Sequence, residues 1–395
     1  MPTYEKLKGA VALASNTPGM PTGYGTQAKL LLERMLRHGI KVAALSNYGL
    51  EGAKSTLKLQ NTEIPHYPRG LTPYSIDVMP QWTKDFASQH PELKTLLFTL
   101  YDVWVYNKLR YDDPIVSWVP LDHVTLPPAV REFLIKDNVI PVTMSPHGQR
   151  QLEQAGIEST YIPHAIDTKV YKPTHKFRGM DTREYMGIPK DAFVVGMVAA
   201  NKSNGVIHRK AFAENLLAFA IHQKSHPDSY LYIHSEPSKA YNGFALDVLI
   251  QMVGIPKENV LFPDPYQLRT GYADEEMAAF YSAMDVLLST SYGEGFGIPT
   301  IEAQACGTRV ITSNFAASQD LASEDSWKVD GQAFWDEAQA SFFMIPSVNK
   351  IVAALGEAYK APRGTSQKAR QFALEYDVEH VWDQYWMPFL KELFK

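Results

Sequence analysis

The sequence contains a single cysteine, Cys306, among its 395 residues. With one thiol, no disulfide can form within the chain, and nothing in the cysteine usage requires an oxidising compartment. Cys306 lies between small residues, a setting typical of a buried hydrophobic side chain. We therefore predict a structural role for it.

Long apolar runs and targeting signals are missing as well. No stretch approaches the roughly 18 uninterrupted apolar residues of a membrane-spanning helix. Residues 1–14 lack the charged-then-apolar pattern of a signal peptide. We therefore predict a cytoplasmic protein without a transmembrane segment.

The charge balance has no basic excess. Lys and Arg number 38 against 43 Asp and Glu, a formal net charge of −5, which argues against a general nucleic-acid binder. A hydrophobic content of 45% indicates a folded chain. At about 100–200 residues per domain, the length predicts two or three domains.

Short apolar runs alternate with amphipathic helical segments along the chain. The runs are apolar along their length, which is typical of parallel strands covered on both faces. They fall into two series, 11–14, 40–45, 96–100, 115–119 and 139–144, and then 193–198, 230–233, 260–262, 286–288 and 309–312. The pattern predicts an α/β protein of two Rossmann-like, doubly wound domains facing a central cleft, over 1–172 and 173–377.

The stretch 292–302, Tyr-Gly-Glu-Gly-Phe-Gly-Ile-Pro-Thr-Ile-Glu, has the strongest functional signal. Its glycines allow positive φ and let backbone N–H groups approach a ligand, and Pro299 suits the first turn of a helix. The N-terminus of such a helix favours a phosphate. We predict that Gly295, Phe296, Gly297 and Ile298 bind a phosphate-containing ligand, the donor of the activity predicted below.

The two glutamates of this stretch have separate predicted roles. Glu302, one turn into the helix, can accept from both hydroxyls of a ribose diol. Glu294 is then left to face a sugar beyond the phosphates. The alternative is that Glu294 caps a loop and Glu302 is an ordinary residue of the helix surface.

Residues 291–311, with seven residues between the two glutamates and an Ala-Cys-Gly turn after them, resemble the hallmark of glycosyltransferase family 4. Residues 162–167 resemble the segment by which that family leaves its first domain, and residues 283–286 resemble its approach to the hallmark loop. The resemblance implies a GT-B fold whose C-terminal helix, 378–395, packs back on the first domain. It also implies retaining transfer of a hexose from a UDP- or GDP-linked sugar to a carbohydrate or other hydroxyl acceptor.

Two basic residues, Arg209 and Lys210, follow the strand 193–198 and are predicted to open a helix. A diphosphate needs countercharge, which an Arg fork and a Lys point charge supply. The alternative is a solvated basic helix start. The family's usual Gly after the Lys is Ala211 here. Its earlier Arg is replaced within 200–203, where Asn201 or Lys202 is the candidate phosphate ligand.

The sequence also bears on metals. The Asp-x-Asp triplet, the anchor of metal-dependent glycosyltransferases of the other common fold, occurs nowhere in the chain. We therefore expect no metal and no other cofactor.

Candidates in the first domain are fewer. By the resemblance, His123 contacts the transferred sugar, and Asp122 orients it or binds the acceptor. Asp102 is a weaker acceptor-side candidate. Gly23 and Gly25, in a loop before a helix predicted from Thr26, offer N–H groups to the donor, although a plain tight turn has the same pattern.

Three other functions compete with the transferase prediction. One is a sugar-nucleotide epimerase or hydrolase of the same fold, and another is a non-catalytic GT-B partner subunit. A Rossmann dehydrogenase fits less well because the first glycine loop lacks the full fingerprint. The sequence leaves the base, the acceptor and the oligomeric state open.

Overall fold

The computed structural model describes residues 4–203 and 207–395. The chain divides into two compact units. Unit 1 combines the residues up to Ala165 with Glu337–Ser341 and Val378–Lys395, and unit 2 comprises Ile166–Asp336 and Phe342–Asp377. The boundary between the two units therefore falls after residue 165, whereas the sequence predicts it after residue 172.

Unit 1 is built on one sheet with helices between its strands. The strands are β1 (Ala10–Asn16), β2 (Lys41–Tyr48), β3 (Ser55–Leu59), β4 (Thr62–Tyr67), β5 (Thr95–Thr99), β6 (Ile115–Val119), β7 (Val139–Thr143) and β8 (Thr160–Tyr161). The helices are α1 (Gly23–Arg37), α2 (Met79–Ser88), α3 (Pro128–Leu134) and α4 (Pro146–Gln154). The strand order is β3-β4-β2-β1-β5-β6-β7-β8, and every pair is parallel except β3 with β4.

The apolar runs predicted as strands are confirmed in unit 1. Strand β1 lies between β2 and β5, and its residues from Ala10 to Ala14 are at most 2% exposed. Burial on both faces explains why the run has no polar alternation. The β3–β4 hairpin was not predicted, because its strands are rich in exposed polar residues and carry no apolar run.

Unit 2 repeats the alternation of strands and helices. Its strands are β9 (Lys176–Phe177), β10 (Met180–Asp181), β11 (Phe193–Val198), β12 (Ser229–His234), β13 (Val260–Leu261), β14 (Val286–Ser289), β15 (Arg309–Ser313), β16 (Trp327–Val329), β17 (Gly331–Asp336) and β18 (Ser341–Pro346). Its helices are α5 (Thr182–Tyr185), α6 (Phe212–Gln223), α7 (Leu246–Val253), α8 (Pro265–Thr270), α9 (Asp274–Ala283), α10 (Ile298–Ala305), α11 (Val348–Lys360) and α12 (Gln367–Leu374). The main sheet is parallel throughout, in the order β13-β12-β11-β14-β15-β16.

The last segment of the chain belongs to unit 1. It consists of α13 (Val378–Val381), a π-helical turn (Trp382–Trp386) and α14 (Met387–Leu393). The Trp382 indole N–H donates to His38 Nε2 at 3.0 Å, and Glu379 pairs with Arg34 at 2.7 Å. The aromatic residues of 378–395 therefore contribute to the packing of unit 1.

No helix in the described ranges has the length and apolar character needed to span a membrane. Cys306 is buried, as predicted.

Candidate functional site

The loop between β14 and α10 has the conformation that its glycines predict. Gly297 takes a φ of 113° and forms the N-cap of α10, and Pro299 lies in the first turn. A side chain at position 297 would be strained there, so glycine suits the start of this helix. Phe296 is buried and packs against the Tyr376 ring at 5.7 Å, so its side chain anchors the loop in the core of unit 2.

Arg209 and Lys210 both contact Glu294, on the predicted hallmark loop. Lys210 Nζ lies 2.5 Å from Glu294 Oε1, and Arg209 Nη1 lies 3.2 Å from Oε2. Arg209 Nη1 also donates to the carbonyl of Gly293 at 2.7 Å. Three predicted site residues therefore form one cluster in unit 2, although 84 positions separate Lys210 from Glu294.

The position of the two cations corrects the sequence analysis. They do not open helix α6, which begins at Phe212, but lie in the turn before it. Ala211, the N-cap, takes a φ of 52°. A left-handed alanine is strained by about 1–2 kcal/mol. A glycine at this position would adopt the same φ without that strain.

The charge state of Glu294 follows from its neighbours. Its side chain is 12% exposed, and burial by itself would raise its pKa. The positive charges of Lys210 and Arg209 outweigh that effect and lower the pKa to about 2. Glu294 is therefore ionised at neutral pH and holds both cations.

Glu302 lies in a different environment. It is half-buried on α10, and its Oε2 accepts a hydrogen bond of 2.7 Å from the Tyr281 hydroxyl. Removal from water raises the Glu302 pKa to about 7, although the Tyr281 hydrogen bond opposes the shift. The pKa of Glu294 is therefore lowered by its surroundings, whereas that of Glu302 is raised.

Two residues of α6, Glu214 and Asn215, brace the loop and were not singled out in the sequence. The Tyr292 N–H donates to the Arg209 carbonyl and its hydroxyl to Glu214, both at 2.7 Å. The Thr290 hydroxyl donates to Asn215 Oδ1 at 2.5 Å. Two adjacent polar residues such as Glu214 and Asn215 give no sequence signal, because only the tertiary packing brings them to the loop.

Asn201 has a structural contact in place of the predicted phosphate contact. It is 3% exposed, and its amide nitrogen donates to the carbonyls of Glu236 and Phe244 at 2.9 and 2.8 Å. Its Oδ1 accepts from the Phe244 N–H at 2.9 Å. The amide therefore ties the end of β11 to the loop 236–244.

The first glycine loop is also corrected. Gly23 and Gly25 lie inside α1, which begins at Gly23 and not at Thr26. The Gly25 N–H donates to the capping Thr22 hydroxyl at 3.0 Å, and a Cβ at Gly25 would come within 2.5 Å of the Met20 carbonyl oxygen. The structure therefore explains Gly25 by helix capping and close packing.

In unit 1 the predicted pair His123 and Asp122 lies after β6. His123 Nδ1 is 2.7 Å from Asp122 Oδ1, and the His123 side chain is 5% exposed. Its carbonyl contacts His147 Nε2 at 2.9 Å. The Asp122 carboxylate therefore lies in a position to orient the imidazole of His123.

The other acceptor-side candidate, Asp102, lies after β5. Its Oδ2 accepts from the Tyr24 hydroxyl at 3.1 Å. Aromatic rings of Tyr101 and Tyr74 pack nearby in unit 1, and Tyr74 contacts the exposed Trp104.

Over 4–203 and 207–395, no three His, Cys, Asp or Glu side chains are grouped in a way that could hold a metal ion.

A parallel α/β unit in which a glycine loop starts a helix beside two cations is an arrangement suited to binding phosphate groups. Comparison with known proteins shows which families the chain is similar to. The family model "Glycosyl transferases group 1" matches residues 254–349. D-inositol 3-phosphate glycosyltransferase of Corynebacterium kroppenstedtii is 28% identical over 213 residues, 52% of this chain and 42% of that protein. The protein of the same name from Stackebrandtia nassauensis is 31% identical over 159 residues, 39% of this chain and 33% of that protein. The chain spans less than half the length of these relatives.

Solved structures show the same fold over the whole chain. Sucrose-phosphate synthase from Thermosynechococcus elongatus matches with a TM-score of 0.73 and 17% identity, covering 98% of this chain and 99% of that one. Anabaena HepE, solved with UDP and glucose, matches with a TM-score of 0.65 and 17% identity, covering 98% and 100%. These findings confirm the predicted GT-B fold, and residues 254–349 are similar to the glycosyl transferases of group 1.

Proposed function

We propose that the protein transfers a hexose from a UDP- or GDP-linked sugar to a hydroxyl acceptor, with retention and without a metal. The observation that carries the proposal is the cluster of Lys210, Arg209 and Glu294 on the loop that starts α10. The group 1 match includes this loop, and the names of the relatives describe sugar transfer.

In this function the two cations supply the countercharge for the diphosphate. In the free protein Glu294 holds them in place, so little reorganisation is needed when the donor binds. The N-terminus of α10, with Gly297 as N-cap, offers further N–H donors to the phosphates. The protein thus contributes positioning and electrostatic stabilisation, and the leaving phosphate takes the acceptor's proton.

Other residues bind the two ends of the donor. Glu302 accepts from the ribose diol, and Glu294 faces the transferred sugar. In unit 1, His123 held by Asp122 is suited to a hydrogen bond with a sugar hydroxyl. Asp102 is proposed for the acceptor, which we take to be a carbohydrate or another alcohol.

The proposal can be tested with a panel of nucleotide sugars. Each is assayed for thermal stabilisation of the protein, slow donor hydrolysis and transfer. We expect one UDP- or GDP-linked sugar to stabilise the protein and to be turned over with an unchanged rate in excess EDTA. Loss of turnover on chelation, restored by a divalent metal, would overturn the metal-free mechanism. Isomerised donor without acceptor would indicate an epimerase, and binding without any turnover a partner subunit.

Glu302→Ala tests the ribose assignment. Hydrogen bonds to a charged group contribute about 1.5–3 kcal/mol, so we expect affinity for both the sugar nucleotide and the free nucleoside diphosphate to fall about 10- to 100-fold. Calorimetric titration measures both. Glu357→Ala, on the exposed side of α11, is the matched control. Unchanged affinity for both ligands would show that Glu302 does not bind the ribose.

A further inference from the structure

The carboxyl group of Glu302 is surrounded by tyrosines and a second carboxylate. The fully buried Tyr281 on α9 donates to Glu302 Oε2 at 2.7 Å. Tyr171, also buried, donates to Asp274 at 3.1 Å, and its hydroxyl interacts with Glu302 as well. All four side chains belong to unit 2.

No Lys, Arg or His lies within ion-pair distance of Glu302 in the part of the chain that the structure describes, in contrast to Glu294. The other ionisable groups nearby are Asp274 on α9, Cys306 one turn further along α10, and Arg370 on α12. Arg370 donates to the carbonyls of Tyr171 and Ala305 and does not reach the carboxylate. Among the described residues, the partners of the Glu302 carboxyl group are therefore the hydroxyls of Tyr281 and Tyr171.

We propose that Tyr281 is the positioning residue that orients Glu302 for the ribose diol, and that docking of the diol drives a proton off the Glu302 carboxyl. The inference rests on the proposed function. The proton balance is simple: the carboxylic acid and the free sugar nucleotide become a carboxylate with the nucleotide bound, and the proton passes to the solvent. No covalent bond of the donor changes in this step.

The geometry supports the positioning role. A carboxylate can accept about four hydrogen bonds, so two ribose hydroxyls fit beside the tyrosines. Burial raises the pKa of Tyr281 well above its ordinary value, so its hydroxyl keeps its proton and remains a donor. A fixed donor on Oε2 restricts the rotation of the carboxylate before the nucleotide arrives.

The proton release follows from the same surroundings. Burial raises the Glu302 pKa to about 7, and the negative charge of Asp274 adds to the shift. A ribose diol donates two hydrogen bonds that favour the ionised form. Binding therefore lowers the pKa, and affinity should rise with pH up to about 7 and level off above it.

The test uses the complete chain and whichever of UDP-glucose or GDP-mannose the panel shows to bind, because the esterified diphosphate of a nucleotide sugar does not titrate near neutral pH. Calorimetry at pH 6–8.5, in buffers of different ionisation enthalpy, counts the protons released. The wild-type protein should release close to one proton at pH 6 and almost none at pH 8.5. Affinity should fall up to about tenfold for each pH unit below 7.

Tyr281→Phe keeps the buried ring and removes only the hydroxyl. Loss of one hydrogen bond to a carboxylate should weaken binding at pH 7 about 5- to 10-fold. It should also move the proton-release profile to higher pH, so that affinity recovers partly at pH 8.5, and raise KM by more than it lowers kcat. Tyr359→Phe, which removes a hydroxyl that donates to Asp228, is the matched control and should leave the profile unchanged.

Glu302→Gln is the second variant, because it has no proton to release whatever happens to Tyr281. It should bind weakly at every pH and abolish the pH dependence. A wild-type protein that binds and transfers without proton release, or a Tyr281→Phe profile that coincides with wild type, would overturn this inference alone. If no nucleotide sugar binds the wild-type protein, the proposed function fails first.

Discussion

Glu294→Gln should lower single-turnover transfer by about 10²–10³-fold while the affinity for the bare nucleoside diphosphate holds or rises. The carboxylate is buried beside two cations, with its pKa lowered to about 2, so it carries a negative charge. In the proposed function this charge lies where positive charge develops on the sugar. Glutamine keeps the shape and removes the charge. Arg209 and Lys210 are then released from Glu294 and remain available to the phosphates.

Two measurements separate these effects, single-turnover transfer at saturating donor and calorimetric titration with the nucleoside diphosphate alone. Glu357→Gln, on the exposed side of α11, controls for the loss of a carboxylate elsewhere in unit 2. If nucleotide affinity collapses while turnover at saturation is retained, Glu294 and Glu302 have been assigned the wrong way round.

Lys210→Met should have two effects of comparable importance. Loss of a countercharge to the diphosphate should weaken nucleoside diphosphate binding about 10²-fold. The variant also leaves the buried Glu294 carboxylate without its nearest cation, 2.5 Å away. Breaking such a pair from one side should cost about 2 kcal/mol of unfolding free energy, because the ammonium is partly exposed.

The double variant Lys210→Met with Glu294→Gln distinguishes the two effects. It removes the unpaired charge, so most of the lost unfolding free energy should return while nucleotide binding stays weak. Denaturant titration of all four proteins, alongside calorimetry, provides the comparison. A double variant as unstable as Lys210→Met would mean that the lysine stabilises unit 2 through packing of its stem, and full recovery of nucleotide binding would remove Lys210 from the phosphate site.

The candidate site was predictable where the signal is local. Glycine at 297 and Pro299 predict the start of α10, and the structure shows the positive φ that this start requires. Helix α6 was predicted to open at Arg209 and Lys210 but begins at Phe212, because Ala211 adopts a left-handed conformation that is unusual for alanine. The position of Asn201 after a strand predicts a phosphate contact. Its side-chain amide instead donates to backbone carbonyls 35–43 residues away.

The sequence by itself determined the strands that are apolar along their length, the glycine loop and the family hallmark, because apolar runs, φ preferences and short motifs depend on neighbouring residues. Only the tertiary structure decided the electrostatics of the two glutamates. Glu294 meets cations 84 and 85 residues away, whereas Glu302 meets Tyr281, 21 residues away. Partners at such separations are chosen by how the sheet and its helices pack, so residues of one type, eight positions apart, come to differ in pKa from about 2 to about 7.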